Sequence, residues 1–196
     1  MSLAVLLVFS AYPSFSQVSA AGVVKTLPFT LGVGLSSFEP DMRAGRLLGS
    51  TLWIDYNPEW LPAKLHGIGL EAEARDLSLN RSSDQSANLR EDVASGGGIY
   101  SWNRFYPFRP YGKFLMGYGN TDYEGSNGVR HHDSRTVTSA GGGFEVQAFH
   151  RIWARADYEY QWWPDFFEMK APSPGKLNPQ GFTVGVSYHF NQAAFR

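Results

Sequence analysis

The segment Phe182-Thr-Val-Gly-Val-Ser-Tyr-His-Phe190 limits what this chain can become more than any other. Phe182, Val184, Val186, Tyr188 and Phe190 recur at every second position, and Thr183, Gly185, Ser187 and His189 fill the gaps. A period of two defines a β-strand whose side chains alternate between two faces. One face is bulky, apolar and ends in aromatics; the other is small and polar. A strand of a water-soluble sheet turns its apolar side inward and covers the other with charged residues, for which this second face is too small. The pattern predicts the reverse arrangement: bulky residues toward hydrocarbon, small ones toward a crowded interior.

The same division recurs along the chain. Phe29, Leu31, Val33 and Leu35 oppose Thr30, Gly32 and Gly34, and Leu52, Ile54 and Tyr56 oppose Gly49, Thr51, Trp53 and Asp55. Ile68, Leu70, Ala72 and Ala74 oppose Glu71, Glu73 and Arg75. A fourth strand is expected at about 93–102, although Gly96-Gly-Gly98 blurs its faces. Phe114, Met116 and Tyr118 then oppose Lys113, Gly117 and Gly119 in a fifth strand over 111–120. In a sixth over 136–147, Ala140, Gly142, Phe144 and Val146 oppose Gly141, Gly143, Glu145 and Gln147. A seventh sets Ile152, Ala154, Ala156, Tyr158, Tyr160 and Trp162 against Arg155, Asp157, Glu159 and Gln161. With the last strand the total is eight. Connections after the third, fifth and seventh are long and polar, those after the fourth and sixth are short, and the one after the second interrupts the alternation. Unequal rims of this kind are what an up-and-down barrel produces.

Three features choose a lipid-facing barrel over a soluble one. Glycine recurs on the polar face, where a solvated strand gains nothing from a residue that costs about 0.5–1 kcal/mol against alanine. The mid-strand charges Glu71, Glu73, Arg75, Lys113, Glu145, Arg155, Asp157 and Glu159 are of both signs, so enclosed together they can pair as a polar network of the lumen. The apolar faces finish in Tyr and Trp, the residues of membrane interfaces. Phe144, Tyr158, Tyr160, Trp162, Phe182, Val184 and Val186 are therefore assigned to lipid or its interface, and Trp162-Trp163 and Phe166-Phe167 to anchoring there. An aromatic content of 15% agrees with this, and a net charge of -1 argues against nucleic acid as a partner. The absence of cysteine excludes disulfides and thiolate metal sites.

No window reaches the roughly 18 apolar residues of a membrane-spanning helix. Leu3–Phe9 instead has the length of a signal-peptide core, with small residues at Val18-Ser-Ala20 before an expected cleavage, although no basic residue precedes it. The organisation expected is a signal peptide over 1–20, a lead-in over 21–28, the barrel over 29–190 and a tail over 191–196.

Thr183-Val-Gly185-Val-Ser-Tyr188-His-Phe190 fits, at every position, the pattern polar-x-Gly-x-x-aromatic-x-aromatic that closes the last strand of certain barrels. On this signal the chain resembles the small eight-stranded outer-membrane barrels of Gram-negative bacteria, the group that includes the OmpA transmembrane domain, OmpX and OmpW. Arg109-Pro-Tyr111 and Gly141-Gly-Gly143 are weaker echoes, and the tail after Phe190 departs from the group's usual ending. The resemblance implies an all-β, eight-stranded antiparallel up-and-down transmembrane barrel of the cell envelope. It further implies export, periplasmic chaperones, insertion by the barrel-assembly machinery at Thr183, Gly185, Tyr188 and Phe190, and a monomer surrounded by outer-membrane lipid.

Chemistry is sparse in the sequence. His131-His-Asp-Ser134 could supply a base with a hydroxyl, or two metal ligands. Adjacent residues of an extended segment point in opposite directions, however, and the polar surroundings over 121–134 read as a solvated loop. No catalytic residue, metal site or cofactor is assigned. The expectation is a structural or surface-interacting barrel whose long loops carry recognition. A narrow channel for small solutes is the alternative, and a barrel enzyme modifying lipid A a more distant one.

Overall fold

A computed structural model describes residues 27–40, 46–58, 60–62, 65–79, 89–124, 130–163 and 178–190. The expected signal peptide, most of the lead-in, Phe166-Phe167 and the tail after Phe190 lie outside these residues. The strands are β1 (Phe29–Glu39), β2 (Leu47–Tyr56), β3 (Ile68–Leu79), β4 (Leu89–Ser101), β5 (Phe108–Glu124), β6 (Arg130–Gln147), β7 (Ile152–Trp162) and β8 (Gln180–His189). Each pairs antiparallel with its neighbours in chain order, and β1 pairs β8 to close the barrel. Closure removes every free edge, so all backbone donors and acceptors of the wall can be met between strands, which hydrocarbon requires.

Register follows the alternation read from sequence. Val33 lies opposite Leu52 on one side and Val186 on the other, so bulky residues line up with bulky residues across three strands. They face outward: Leu35 is 75% exposed and Val184 63%. Among the described residues the outer wall is almost wholly apolar from Ile68 to Ala74 on β3, from Phe108 to Tyr118 on β5 and from Ile152 to Trp162 on β7.

The blurred faces of β4 resolve by pairing. Glu91, Val93, Ile99 and Ser101 point inward and are buried, whereas Gly96 and Gly98 face outward. β4 also begins four residues earlier than its pattern suggests, and β5 and β6 run far beyond theirs. Residues 121–124 and 130–134, expected to be loop, are a paired ladder in which Asn120 faces Ser134 and Asp122 faces His132.

An eight-stranded barrel is just wide enough for side chains to fill it, and two inward tryptophans show how glycine makes this possible. A Cβ on Gly32 would fall on the Trp53 indole, and one on Gly119 would fall on that of Trp163. These two inward glycines thus leave the space that the indoles occupy. Trp163 is 1% exposed. It points into the barrel rather than anchoring it at the interface, because it continues the inward row Asp157, Glu159, Gln161 while its neighbour Trp162 faces out.

Candidate functional site: a filled lumen and a polar outer rim

The inward rows of β3, β5 and β7 bring Glu71, Glu73, Arg75, Lys113, Arg155, Asp157 and Glu159 together in mid-barrel, all buried. Lys113 Nζ donates to Glu73 at 2.6 Å and Glu71 at 3.2 Å, and stands 3.0 Å from Glu159. The Arg75 guanidinium grips both oxygens of Glu159 at 3.0 and 3.2 Å and also pairs with Glu73. Arg155 Nη2 donates to Glu71 at 2.8 Å, and its Nε donates to the Tyr111 hydroxyl at 2.7 Å and to Asp157 at 3.1 Å. That guanidinium also lies over the Trp53 and Tyr111 rings, at 4.6 and 4.5 Å from their centroids. No two of these charges are close in sequence across strands; only closure of the wall brings them within reach.

Glu145 sits nearer the rim that carries the chain ends of the barrel. It pairs with Arg109, and His189 Nε2 lies 3.8 Å away. His189 packs against Trp153 with ring centroids 5.0 Å apart. Thr183 joins Ser36 and Thr51 in a line of hydroxyls that reaches Arg75. Gly185 faces inward beneath the Trp53 ring, while Tyr188 and Phe190 face outward with their rings in edge contact.

Several interior residues were not singled out by pattern alone. Asp55 and Glu91 are also buried, Asp55 within 3.6 Å of Arg155. Asp55 was legible as a polar-face residue of its strand, but Glu91 precedes the stretch whose pattern suggested one. Toward the rim with the long connections the lumen changes character. Phe38, Leu47 and Leu77 form one apolar cluster, joined by Leu79 and Leu89, and Val93, Val137 and Trp163 form another. Trp163 donates its indole N–H to Gln161, which donates to Glu159, so the second cluster is tied to the ionic one. The polar-face rule holds in the barrel's middle and fails at this end.

Outside, Phe144, Tyr158, Trp162, Phe182, Val184 and Val186 are exposed on the wall and Tyr160 is half-buried beside Trp162. Above this belt the outward side chains become polar: Asp76, Arg90 and Asp92 on β3 and β4, then Asn120, Asp122, His132 and Ser134 on β5 and β6. Arg90 bonds Asp76 at 2.9 Å and lies 3.3 Å from Asp92. Asp122 Oδ1 is 2.6 Å from His132 Nδ1. Among the described residues no group of three or more His, Asp or Glu side chains is placed to hold a metal ion.

The whole of this wall, from its apolar belt to its ion-filled middle, has a match in sequence: a model of the outer membrane protein beta-barrel domain covers residues 1–190. The chain belongs to that family. No curated protein sequence matches it. Among solved structures this outer-membrane barrel is similar to Neisserial surface protein A, with 11% identity, a TM-score of 0.61, and 83% of this chain and 97% of that one covered. It is also similar to Ail, the attachment invasion locus protein of Yersinia pestis in complex with the heparin analogue sucrose octasulfate, with 13% identity, a TM-score of 0.55 and coverage of 82% and 96%. The outer membrane protein OprG of Pseudomonas aeruginosa gives 13% identity, a TM-score of 0.51 and coverage of 82% and 94%. At such identities the shared property is the fold of an outer-membrane barrel.

Proposed function

We propose that this outer-membrane barrel is a non-conducting wall element that acts at the cell surface through the rim bearing its long connections. The observation that carries this reading is the filled lumen. Ionic side chains with interlocked partners occupy the middle, and two apolar clusters sit inside the end toward that rim. An ion entering would have to break pairs that are fully desolvated, and breaking one costs about 3–5 kcal/mol. The surface role is supported by the placement of polar, long connections at one rim, where recognition is carried by loops on a rigid scaffold. It is the kind of role the names of Neisserial surface protein A and of the attachment invasion locus protein express for those proteins. The barrel works as a monomer in outer-membrane lipid. It reaches that lipid after signal-peptide removal, with chaperones and the barrel-assembly machinery reading Thr183, Gly185, Tyr188 and Phe190.

The full chain reconstituted in planar bilayers tests the reading. Insertion, verified by a mobility shift between unheated and boiled samples, should leave the membrane silent, and single-channel steps would show a conducting lumen instead.

A further inference from the structure

The outward ladder above the apolar belt holds an arrangement that the surface role does not use. His132 and Ser134 are two residues apart on β6, so both face outward, and Asp122 and Asn120 face out beside them on β5. His132 Nδ1 lies 2.6 Å from Asp122 Oδ1. A carboxylate can only accept there, so Nδ1 carries the hydrogen and Nε2 is left as a base. That Nε2 is 3.4 Å from the Ser134 hydroxyl oxygen, at the long end of a hydrogen bond, as is common in sites without substrate. Ser134 donates meanwhile to Asn120 Oδ1 at 2.7 Å. Nucleophile, base and orienting acid thus stand in one line on adjacent strands.

We propose that Ser134, His132 and Asp122 form a serine-hydrolase site for carboxylic esters of amphiphiles held in the outer leaflet. Its placement points to that substrate class. The His132 and Asp122 side chains are 64% and 56% exposed, and they open away from the barrel. Directly below on the same outward rows are Tyr118, Met116 and Phe114, a lipid-facing wall. Tyr118 is paired with Thr136, one outward step from the Asn120–Ser134 rung. An ester joining a polar head to an acyl chain is held at that height when the chain lies along the apolar wall. A soluble ester gains no such support.

The reaction needs only water as co-reactant. Ser134 Oγ attacks the ester carbonyl carbon as His132 Nε2 takes the hydroxyl proton, and Asp122 holds the imidazolium that results. The carbon–oxygen bond to the alcohol then breaks, and His132 returns the proton to the departing alkoxide. Water attacks the acyl-serine, again passing a proton to His132. The acid leaves as Ser134 is re-protonated, so one ester and one water give one acid and one alcohol. The Asn120 carboxamide, one half-turn from presenting its N–H₂ group where it now presents oxygen, is the side-chain donor beside the carbonyl oxygen.

The full chain, folded in detergent and in phosphatidylcholine vesicles, tests this with three probes: a fluorophosphonate, p-nitrophenyl butyrate and the vesicle lipid itself. Expected are a phosphonyl adduct mapped by mass spectrometry to Ser134 and release of fatty acid from the vesicles. Both should be absent in Ser134→Ala and reduced about 100-fold or more in His132→Ala, the usual scale for losing a general base. Asp122→Asn should lower the rate too, while Arg90→Ala on the same rim leaves it unchanged. Hydrolysis of p-nitrophenyl butyrate without fatty-acid release would overturn the lipid assignment. Protein that shows the heat-dependent mobility shift, yet takes no label at Ser134 and hydrolyses neither ester, would overturn the site altogether.

Discussion

Two of the barrel's polar clusters, the mid-lumen ionic one and the one around His132 on the outer wall, are set apart by their partner counts. Inside, Lys113 has contacts with four carboxylates and Arg155 with three, all buried, so few valences remain for anything else. Outside, His132 has one strong partner and one loose one, and faces open space. Enclosed polar groups with several partners each fix a structure, even with Arg155 Nη1, Asp55 Oδ1 and Asp157 Oδ1 left without a hydrogen bond; groups with few partners at a surface are free to act on something that arrives. The inner cluster is built of Arg, Lys, Glu and Asp and the outer one of Asp, His, Ser and Asn, and enclosure adds to that difference.

The sharpest way to break this contrast is to remove one interior cation. Lys113→Met should leave Glu71, Glu73 and Glu159 short of their shared partner and cost about 3–5 kcal/mol, or prevent folding into bilayers. Urea titration of the refolded barrel measures it. Ser134→Ala, at the outer cluster, should shift the same midpoint by no more than about 0.5 kcal/mol. If the two changes cost alike, the interior cluster is not the scaffold described here.

A second test asks where lipid ends and the polar rim begins. Val186→Lys, in the apolar belt of β8, should cost about 2–4 kcal/mol in bilayers, and Thr136→Lys, beside the polar ladder, only about 0–1 kcal/mol. Equal penalties would place the ladder inside hydrocarbon, where an exposed His132 and Asp122 could not stand. The smallest effect belongs to Arg90→Ala. Its pair with Asp76 is more than half exposed at both ends, so less than about 1 kcal/mol should be lost, and most of that should vanish at high salt.

Much of the wall was legible in advance because a barrel strand in lipid carries its signal locally. Alternation at Phe182–Phe190, Ile152–Trp162 and Gly67–Arg75 assigned each side chain to a face, and register merely aligned those faces. The reading weakened wherever alternation lost contrast. In β4 three glycines gave no preference for either side. In the upper parts of β5 and β6 both faces are polar, so paired strand looked like loop. There His132 and Ser134 did share a face at a spacing of two, but without a strand beneath them that spacing had no meaning.

The sequence by itself determined the all-β class, the number of strands, the inverted placement of apolar residues and most of the charges destined for the interior, Asp55 and Glu91 excepted. Each depends only on a period of two and on the cost of exposing the wrong side to hydrocarbon. Pairing within the β5–β6 hairpin set Asp122 beside His132, a contact local in the chain. Tertiary structure alone decided which charges became partners across the lumen and that apolar clusters gather inside it toward one rim. Those are distances between segments far apart in the chain. They exist only once β1 has met β8 and the wall has closed.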